Sequence, residues 1–168
     1  MDKDACSQVD PYHQARLIAI SYIGISQKSS GKVMTRLLMK DVNREVAQDV
    51  ISDLRRDGYI DDLRVARSII RQRECGTAES RDRLCQRLAA AGIPDETIIE
   101  CRDILLTDLE SIQSLTDARI VPDLIKKMDD ESFDPNIWMN KSARFLFSRG
   151  YNRELVFHAL HDALDKVK

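Results

Sequence analysis

The chain contains little that would build a turn-rich β-sheet protein. It has only six glycines and four prolines in 168 residues, and its aromatic residues are four tyrosines, four phenylalanines and one tryptophan. No segment shows the strict alternation of apolar and polar residues that is typical of a half-buried strand. Hydrophobic residues make up 43% of the chain and charged residues 32%, a balance typical of folded globular proteins. The composition therefore predicts an all-α fold.

Long hydrophobic runs and cysteine pairs are also missing. No apolar stretch approaches the roughly 18 residues of a membrane span, and the first ten residues, MDKDACSQVD, are polar and acidic. We therefore expect a cytoplasmic protein without a membrane partner, with a flexible N-terminus over residues 1–10. The four cysteines, at positions 6, 75, 85 and 101, form no C-x-x-C motif. They predict reduced thiols, of which Cys6 is expected to be the most exposed.

The hexapeptide DGYIDD, residues 57–62, is similar to part of a calcium-binding loop. If Gly58 is the glycine at the sharp turn of such a loop, Arg55 and Arg64 occupy positions where calcium requires carboxylates. The hexapeptide is therefore interpreted as the end of one helix and the beginning of the next. Gly58 ends the first helix, Tyr59 and Ile60 anchor the turn in the core, and Asp61 and Asp62 cap the second helix.

Other chemical motifs are incomplete as well. The stretch SSGKVMT, residues 29–35, lacks the first glycine of a phosphate-binding loop and has no Ser or Thr after its lysine. Glu154, His158 and His161 share one helical face, which is interpreted as a solvated surface and not as a metal site. The sequence contains no nucleophile elbow and no glycine-rich cofactor turn. We therefore expect a protein that is not an enzyme, with no catalytic residues, no cofactor and no metal.

Apolar residues recur at helical spacing along nearly the whole chain. Helix ends are expected at Gly58, Gly76, Gly92 and Gly150, and helix starts at Asn43, Asp61, Thr77, Asp134 and Asn152. These signals predict about nine helices, over residues 11–26, 29–40, 43–57, 61–74, 77–91, 94–115, 116–129, 134–149 and 152–167.

Three short segments align without gaps and indicate an internal repeat. Each has a leucine, then a turn residue four positions later, then an apolar residue, and then a glutamate; the three turn residues are Asp41, Gly92 and Gly150. A helical unit that cannot bury its own apolar face is stabilised by stacking on the next copy. The alignment therefore predicts an elongated array of three tandem three-helix repeats, over residues 11–60, 61–115 and 116–168.

Charge is distributed unevenly along the chain. Residues 63–91 contain seven arginines and three acids, whereas residues 95–134 contain twelve acids and four basic residues. Three of the arginines, at 64, 67 and 71, follow helical spacing, and so do those at 83 and 87. Guanidinium groups suit the recognition of phosphates and carboxylates. From these residues alone, a binding surface and a solvated face paired with neighbouring acids remain equally open.

A set of spaced residues in the middle of the chain is similar to a known family. The set comprises Leu54, Gly58, Tyr59, Ile60, Asp61, Asp62, Ala66, Arg71, Arg73, Gly76, Leu84, Leu88, Gly92 and Ile93. Together with Arg149, Gly150 and Tyr151 near the C-terminus, it resembles the RecX family, bacterial regulators of the RecA recombinase. The chain departs from the family pattern at Asp41, where a glycine is expected, and in its acidic segment 102–134.

The resemblance implies a curved array of three tandem three-helix repeats that binds in the groove of the RecA–single-stranded-DNA filament. It implies inhibition of the ATPase, strand-exchange and coprotease activities of RecA, and of the SOS response, by a protein that is not an enzyme. The departures from the family pattern make strong independent DNA binding unexpected, so we expect a monomer with at most weak direct DNA binding. The expected contact residues are Arg64, Arg67, Arg71, Arg73, Arg83 and Arg87 in the middle repeat and Lys141, Arg144 and Arg149 in the third. The residues assigned to structure are Gly58, Tyr59, Asp61, Asp62, Gly92 and Gly150.

Two other functions remain open at this point. The chain could be a nucleic-acid-binding helical module that acts without RecA, or a helical scaffold for another protein.

Charge reversal at Arg67, Arg71 and Arg87 is expected to weaken RecA inhibition while leaving the helix content unchanged.

Overall fold

The computed structural model describes residues 10–167, and all regular structure in this range is helical. The α-helices are α1 (Pro11–Ile23), α2 (Ser30–Leu38), α3 (Arg44–Arg56), α4 (Asp62–Arg71), α5 (Arg81–Ala90), α6 (Asp95–Cys101), α7 (Asp108–Leu115), α8 (Val121–Met128), α9 (Pro135–Ser148) and α10 (Arg153–Val167). The predicted all-α fold is confirmed. The predicted flexible N-terminus, with Cys6, lies outside the described residues except for Asp10, which caps α1.

The chain divides into two compact units. Unit 1 consists of the residues up to Ala66 together with Ala89–Ile98, and unit 2 consists of Arg67–Leu88 together with Ile99–Lys168. The boundary runs through the predicted middle repeat. The division into three repeats, and the elongated, curved array that they would form, therefore stay predictions.

Each unit has its own hydrophobic core. In unit 1, α1, α2 and α3 bury a set that includes Ala15, Ala19, Val33, Leu37, Val50, Leu54 and Ile60. In unit 2, the helices from α7 to α10 bury a set that includes Ile112, Leu115, Leu124, Trp138, Leu146, Val156 and Leu160. Burying each large aliphatic side chain stabilises the fold by about 1.5–3 kcal/mol, before the opposing loss of conformational entropy.

The turns at the three aligned positions have the same backbone conformation. Gly92 and Gly150 have φ angles of 75° and 88°, and Asp41 is the non-glycine residue with a positive φ, 58°, in the described part of the chain. Aspartate tolerates the left-handed region better than most residues, so it can replace glycine at this turn. The leucine four positions earlier is fully buried in each case, at Leu37, Leu88 and Leu146.

Most of the predicted helix starts are confirmed by capping hydrogen bonds. The side chains of Asn43, Asp61, Asp134 and Asn152 each accept a bond from a backbone N–H two or three residues later. The predicted start at Thr77 is wrong. Residues Cys75–Thr77 form a short 3-10 turn instead, and the side chain of Ser80 accepts a bond from Arg83 N at 3.3 Å, at the start of α5.

Gly76 was predicted to end a helix in the left-handed conformation, and this prediction is wrong too. The glycines with a positive φ are Gly24, Gly58, Gly92 and Gly150, whereas Gly76 lies inside the 3-10 turn. The preceding helix, α4, has already ended at Arg71.

The predicted boundary between helices 94–115 and 116–129 is wrong. The chain leaves the helix after the 3-10 turn Arg102–Ile104 and starts again at Thr107, whose side chain and that of Glu110 form a capping box. From there α7 continues through a π-helical turn, Thr116–Ile120, into α8. Pro122 has no N–H to donate and its ring crowds the carbonyl four residues earlier, which explains the wider turn immediately before it.

Two residues of the DGYIDD hexapeptide have other roles than predicted. Tyr59 is 50% exposed and does not anchor the core; Ile60, at 3% exposure, does. Asp62 is buried and accepts a hydrogen bond from Ser30 N at 2.8 Å, so it caps α2 in addition to beginning α4. Arg55 donates to the same carboxylate at 2.6 Å. Asp62 therefore connects two helices of unit 1.

Candidate interaction surface

Helix α4 presents a row of arginines. Arg64, Arg67 and Arg71 are all exposed, as their spacing along the helix predicts. Arg64 Nε and Nη1 lie 2.9 and 3.0 Å from the amide oxygen of Gln27 in the orientation that satisfies both groups. Within residues 10–167, Arg67 and Arg71 have neither a carboxylate partner nor a side-chain hydrogen bond. Their charges are available to an external anion.

Arg87 on α5 is held by a carboxylate. Its Nε and Nη2 donate to the two oxygens of Glu79 at 2.9 and 2.6 Å, and Arg73 Nη1 lies 3.9 Å from the same carboxylate. The Glu79 side chain is only 5% exposed. The hydrogen bonds from Arg87 lower the pKa of Glu79, and the same contact raises the pKa of Arg87. A bidentate pair to a buried carboxylate is a structural contact, so Arg73 and Arg87 are poor candidates for binding a partner.

Arg149 also has an internal role. Its Nη1 donates to the carbonyl oxygen of Thr77 at 2.9 Å, and its guanidinium lies 5.1 Å from the ring centroid of Phe145. Its own carbonyl oxygen accepts a bond from Ser80 N at 3.0 Å. These contacts connect the turn after α9 to the loop before α5. Arg149 therefore fixes that loop.

Three further basic residues of unit 2 remain exposed and unpaired within the described residues. Arg83 lies beside the turn that ends α9, where a Cβ on Gly150 would come within 3.1 Å of the Arg83 Cβ. Lys141 and Arg144 are three residues apart on α9, and Lys141 lines a cavity of about 240 Å³ together with Arg119 and Phe145. Positions on a helix three residues apart are neighbours, so these two charges lie close together.

The nine expected contact residues thus fall into two groups. Four have internal partners: Arg64, Arg73, Arg87 and Arg149. The other five are exposed and belong to unit 2: Arg67, Arg71, Arg83, Lys141 and Arg144. We refer to these five as the free basic set.

No protein-family model matches the chain. A protein named Regulatory protein RecX from Streptococcus pyogenes serotype M3 is 23% identical over 96% of this chain, which spans 61% of the length of that relative. A Regulatory protein RecX from Streptomyces coelicolor is 23% identical, covering 94% of this chain and 81% of the relative. The crystal structure of RecX from Lactobacillus salivarius superimposes with a TM-score of 0.70 at 15% identity, covering 92% of this chain and 97% of that one.

The chain is thus similar to proteins named Regulatory protein RecX over nearly its whole length. Its relatives are named regulatory proteins, and the solved RecX structure shares its fold.

The chain has a second row of basic residues, which the uneven charge distribution of residues 63–134 did not reveal. Lys28, Lys32, Arg36 and Lys40 lie four residues apart in unit 1, and residues 27–40 contain no acid. Lys28 Nζ and Arg36 Cζ each lie 5.7 Å from the ring centroid of Tyr22. In the described part of the chain none of the four pairs with a carboxylate. The regular four-residue spacing of these basic residues indicates the row in the sequence.

In the phosphate-loop-like stretch of this chain, the first three N–H groups of α2 already have acceptors within the protein. At the start of α2, Ser30 N donates to Asp62, Gly31 N donates to the carbonyl oxygen of Gly92 at 3.1 Å, and Lys32 N donates to Ser29 Oγ at 3.3 Å. Gly31 is needed because a Cβ there would lie 2.5 Å from Gly92 O. The glycine therefore serves packing and not anion binding.

Acids of the segment 102–134 are used for capping and local pairs. Asp108 accepts a bond from Arg81 N at 2.7 Å, and the bonds from Thr107 lower the pKa of Glu110. The backbone N–H of Ser132 lowers the pKa of Asp130 in the same way. These carboxylates stabilise helix starts and turns, so the excess negative charge has a local structural function.

The remaining expectations concern metal, thiols and membrane. Among residues 10–167 no group of three or more His, Cys, Asp or Glu side chains is placed to hold a metal; His158 Nε2 lies 3.4 Å from Asp162. Cys85 and Cys101 have free thiols, and burial raises the pKa of Cys101. The side chain of Cys75 lies outside the described part. None of the described helices has the length and apolar character needed to cross a bilayer.

Proposed function

We propose that the chain is a negative modulator of RecA recombinase. It binds in the groove of the RecA–single-stranded-DNA filament and inhibits the ATPase, strand-exchange and coprotease activities of RecA in recombinational repair and the SOS response. The role is regulatory and not catalytic, and it is exercised in the cytoplasm by a monomer. The observation that carries the proposal is the similarity to regulatory proteins named RecX over nearly the whole chain.

The free basic set is the contact surface in this proposal. Its guanidinium and ammonium groups meet acidic RecA side chains, DNA phosphates, or both. An exposed ion pair contributes about 1 kcal/mol or less, so one contact gives little affinity. Contacts to two adjacent RecA protomers act together through effective concentration. The assembled filament is therefore bound in preference to free RecA.

The direct test is the ATPase activity of RecA on single-stranded DNA, measured with and without the chain. Inhibition that saturates with increasing chain concentration supports the proposal, and full ATPase activity at saturating concentrations contradicts it. Binding to filaments and to bare single-stranded DNA should be measured over the same range of salt concentrations. Each phosphate contact lowers the slope of log affinity against log salt by about 0.7 for single strands.

The same titration tests the nucleic-acid module that acts without RecA. Equal affinity for bare DNA and for the filament would support that function and contradict filament recognition. A much higher affinity for the filament, with weak and steeply salt-dependent binding to bare DNA, is the result that we expect.

A further inference from the structure

Unit 2 contains a small cavity between the π-helical turn Thr116–Ile120 and α9. Its volume is about 240 Å³. Sites for drug-sized ligands usually have roughly 300–1,000 Å³, so this cavity suits a small chemical group. Turns of π-helix occur frequently at functional sites. The lining residues are Arg119 and Ile120 of the turn, Asp123 of α8, and Lys141, Ser142 and Phe145 of α9.

Arg119 has a guanidinium group that no internal acceptor uses. Its Cζ lies 5.6 Å from the ring centroid of Phe145, and the Cζ of Arg149 lies 5.1 Å from the same centroid. Arg149 also donates to Thr77, whereas Arg119 has neither a carboxylate partner nor a side-chain hydrogen bond within residues 10–167. Contact with an aromatic ring restrains a guanidinium without using its N–H donors. The donors of Arg119 are therefore held beside the cavity and are available to a ligand.

Ser142 supplies a recessed hydroxyl at the same cavity. The residue is 8% exposed, and its side chain makes no hydrogen bond to any of the described residues. In this part of the chain, the polar side-chain atoms that are sealed from solvent without a partner belong to Arg81, Thr116 and Trp138. The hydroxyl of Ser142 is not one of them, so it keeps accessible surface. A helical serine often donates to a carbonyl oxygen four residues earlier, and without that bond the hydroxyl can donate to a ligand.

The cavity has an excess of positive charge. Lys141, like Arg119, has no carboxylate partner among the described residues. The carboxylate of Asp123 is on the cavity wall too, but Lys127 Nζ lies 2.9 Å from it and balances its charge. A phosphate monoester carries a charge of about −1.5 to −2 at pH 7 and three strong acceptor oxygens. Two unpaired cations and one hydroxyl match such a group better than they match a carboxylate, which has one charge and two oxygens.

We propose that this cavity binds the terminal phosphate group of a phosphate monoester. Arg119 and Lys141 bind its oxygens, and Ser142 donates a hydrogen bond to it. The monoester belongs either to a small phosphorylated molecule or to the phosphorylated end of a nucleic-acid strand. Lys141 is also in the free basic set, but Arg119 and Ser142 are not. Phosphate binding by the chain alone is therefore independent of RecA inhibition.

A nuclear magnetic resonance titration of the full chain with sodium phosphate, at pH 7 and constant ionic strength, tests the proposal. We expect saturable changes in chemical shift. Arg119→Gln should weaken phosphate binding about fivefold, the effect of losing one partly exposed ion pair. Arg153→Gln is the matched control, because Arg153 is an exposed arginine whose Cζ lies 5.6 Å from the ring centroid of Phe157, outside the cavity. It should bind phosphate as the wild type does.

Ser142→Ala separates recognition from folding. The hydroxyl has no partner among the described residues, so the midpoint of thermal unfolding should be unchanged or higher while phosphate affinity falls about threefold. A matched pair of single-stranded oligonucleotides, one with a 5′-phosphate and one with a 5′-hydroxyl, identifies the source of the monoester. Tighter binding of the phosphorylated strand, lost in Arg119→Gln, assigns the source to a strand end. Equal binding of the two strands, together with saturable phosphate binding, assigns it to a small molecule.

Four results would overturn the proposal. The first is the absence of saturable phosphate binding by the wild type, and the second is equal weakening by Arg119→Gln and Arg153→Gln. The third is the same shift changes from sodium acetate at matched ionic strength, which would show a general response to anions. The fourth is unchanged phosphate affinity in both Arg119→Gln and Ser142→Ala.

Discussion

Replacing Arg87 with methionine should destabilise unit 2, although Arg87 has the appearance of a surface residue. Methionine keeps much of the aliphatic stem and removes every donor. Glu79, 5% exposed, then loses both hydrogen bonds from Arg87 and keeps only the charges of Arg73, 3.9 Å away, and of Arg149. Leaving a charged buried group without its hydrogen bonds costs about 1.5–3 kcal/mol, and Arg87 itself is 36% exposed. We expect a loss of about 2 kcal/mol and a decrease in Tm of about 4–8 °C.

The assay is thermal and urea unfolding of Arg87→Met, Glu79→Gln and the double variant at pH 7 and at lower pH. The double variant should be more stable than Arg87→Met, because no buried carboxylate is left without its partner. The hydrogen bonds from Arg87 hold the pKa of Glu79 in the folded protein below its ordinary value, which is about 4.3 in an unfolded chain. These bonds therefore stabilise the fold above that pH, and the stabilisation is lost as the pH falls through the lower folded-state pKa. The stability difference between wild type and Arg87→Met should therefore narrow below about pH 4. Equal stability of the wild type and Arg87→Met at pH 7 would refute the reasoning. A difference in stability between these two proteins that stays the same at low pH would refute it as well.

Two further predictions concern unit 1. Asp62→Ala should lower the free energy of unfolding by about 1–2 kcal/mol in urea titrations, because Ser30 N and Arg55 both lose their acceptor; wild-type stability would contradict the capping role. Gly92→Ala should lower the free energy of unfolding by more than about 2 kcal/mol, because the new Cβ would lie 2.9 Å from Ser29 Oγ and the backbone φ is 75°. Gly58→Ala is the matched control: a Cβ there would have no atom within 4 Å, so the loss should be only the left-handed strain of about 1–2 kcal/mol. Equal costs would show that the close approach to Ser29 is unimportant.

Local signals predicted most of the helices. Gly58, Gly92 and Gly150 end helices because a left-handed residue is a local requirement, and Asn43, Asp134 and Asn152 cap helices through bonds that span two or three residues. The break at Thr107 was missed because the apolar run Ile104, Leu105 and Leu106 continues the helical spacing across it. Leu105 is buried there in extended backbone.

The proposed contact surface depends on tertiary structure, because the sequence does not show which basic residues have internal partners. The sequence shows seven arginines within residues 63–91 but not which of them have partners. The pairing of Arg87 with Glu79 requires the loop before α5, and the bond from Arg149 to Thr77 spans 72 residues. The predicted burial of Tyr59 was wrong for the same reason. The sequence does not show whether an aromatic residue that follows a helix end faces the core or the solvent.

The pairing of Arg87 changes the design of the functional variant. Reversal of Arg87 to glutamate would place a second carboxylate against Glu79, so the combination of Arg67, Arg71 and Arg87 would lose stability and inhibition together. Arg83 has no internal partner among the described residues and can replace Arg87 in the combination. The matched control reverses Arg44, Arg102 and Lys126, which are exposed and lie outside the free basic set.

The decisive measurement is the RecA ATPase rate on single-stranded DNA at increasing concentrations of the wild type, of the Arg67, Arg71 and Arg83 reversal variant, and of the control variant. Far-UV circular dichroism and Tm verify that all three are folded. If the free basic set binds the filament, the first variant should need at least about tenfold more protein for half-inhibition, while the control should match the wild type. Wild-type inhibition by the folded reversal variant would contradict the proposed surface, and absence of inhibition by the wild type would contradict the proposed function.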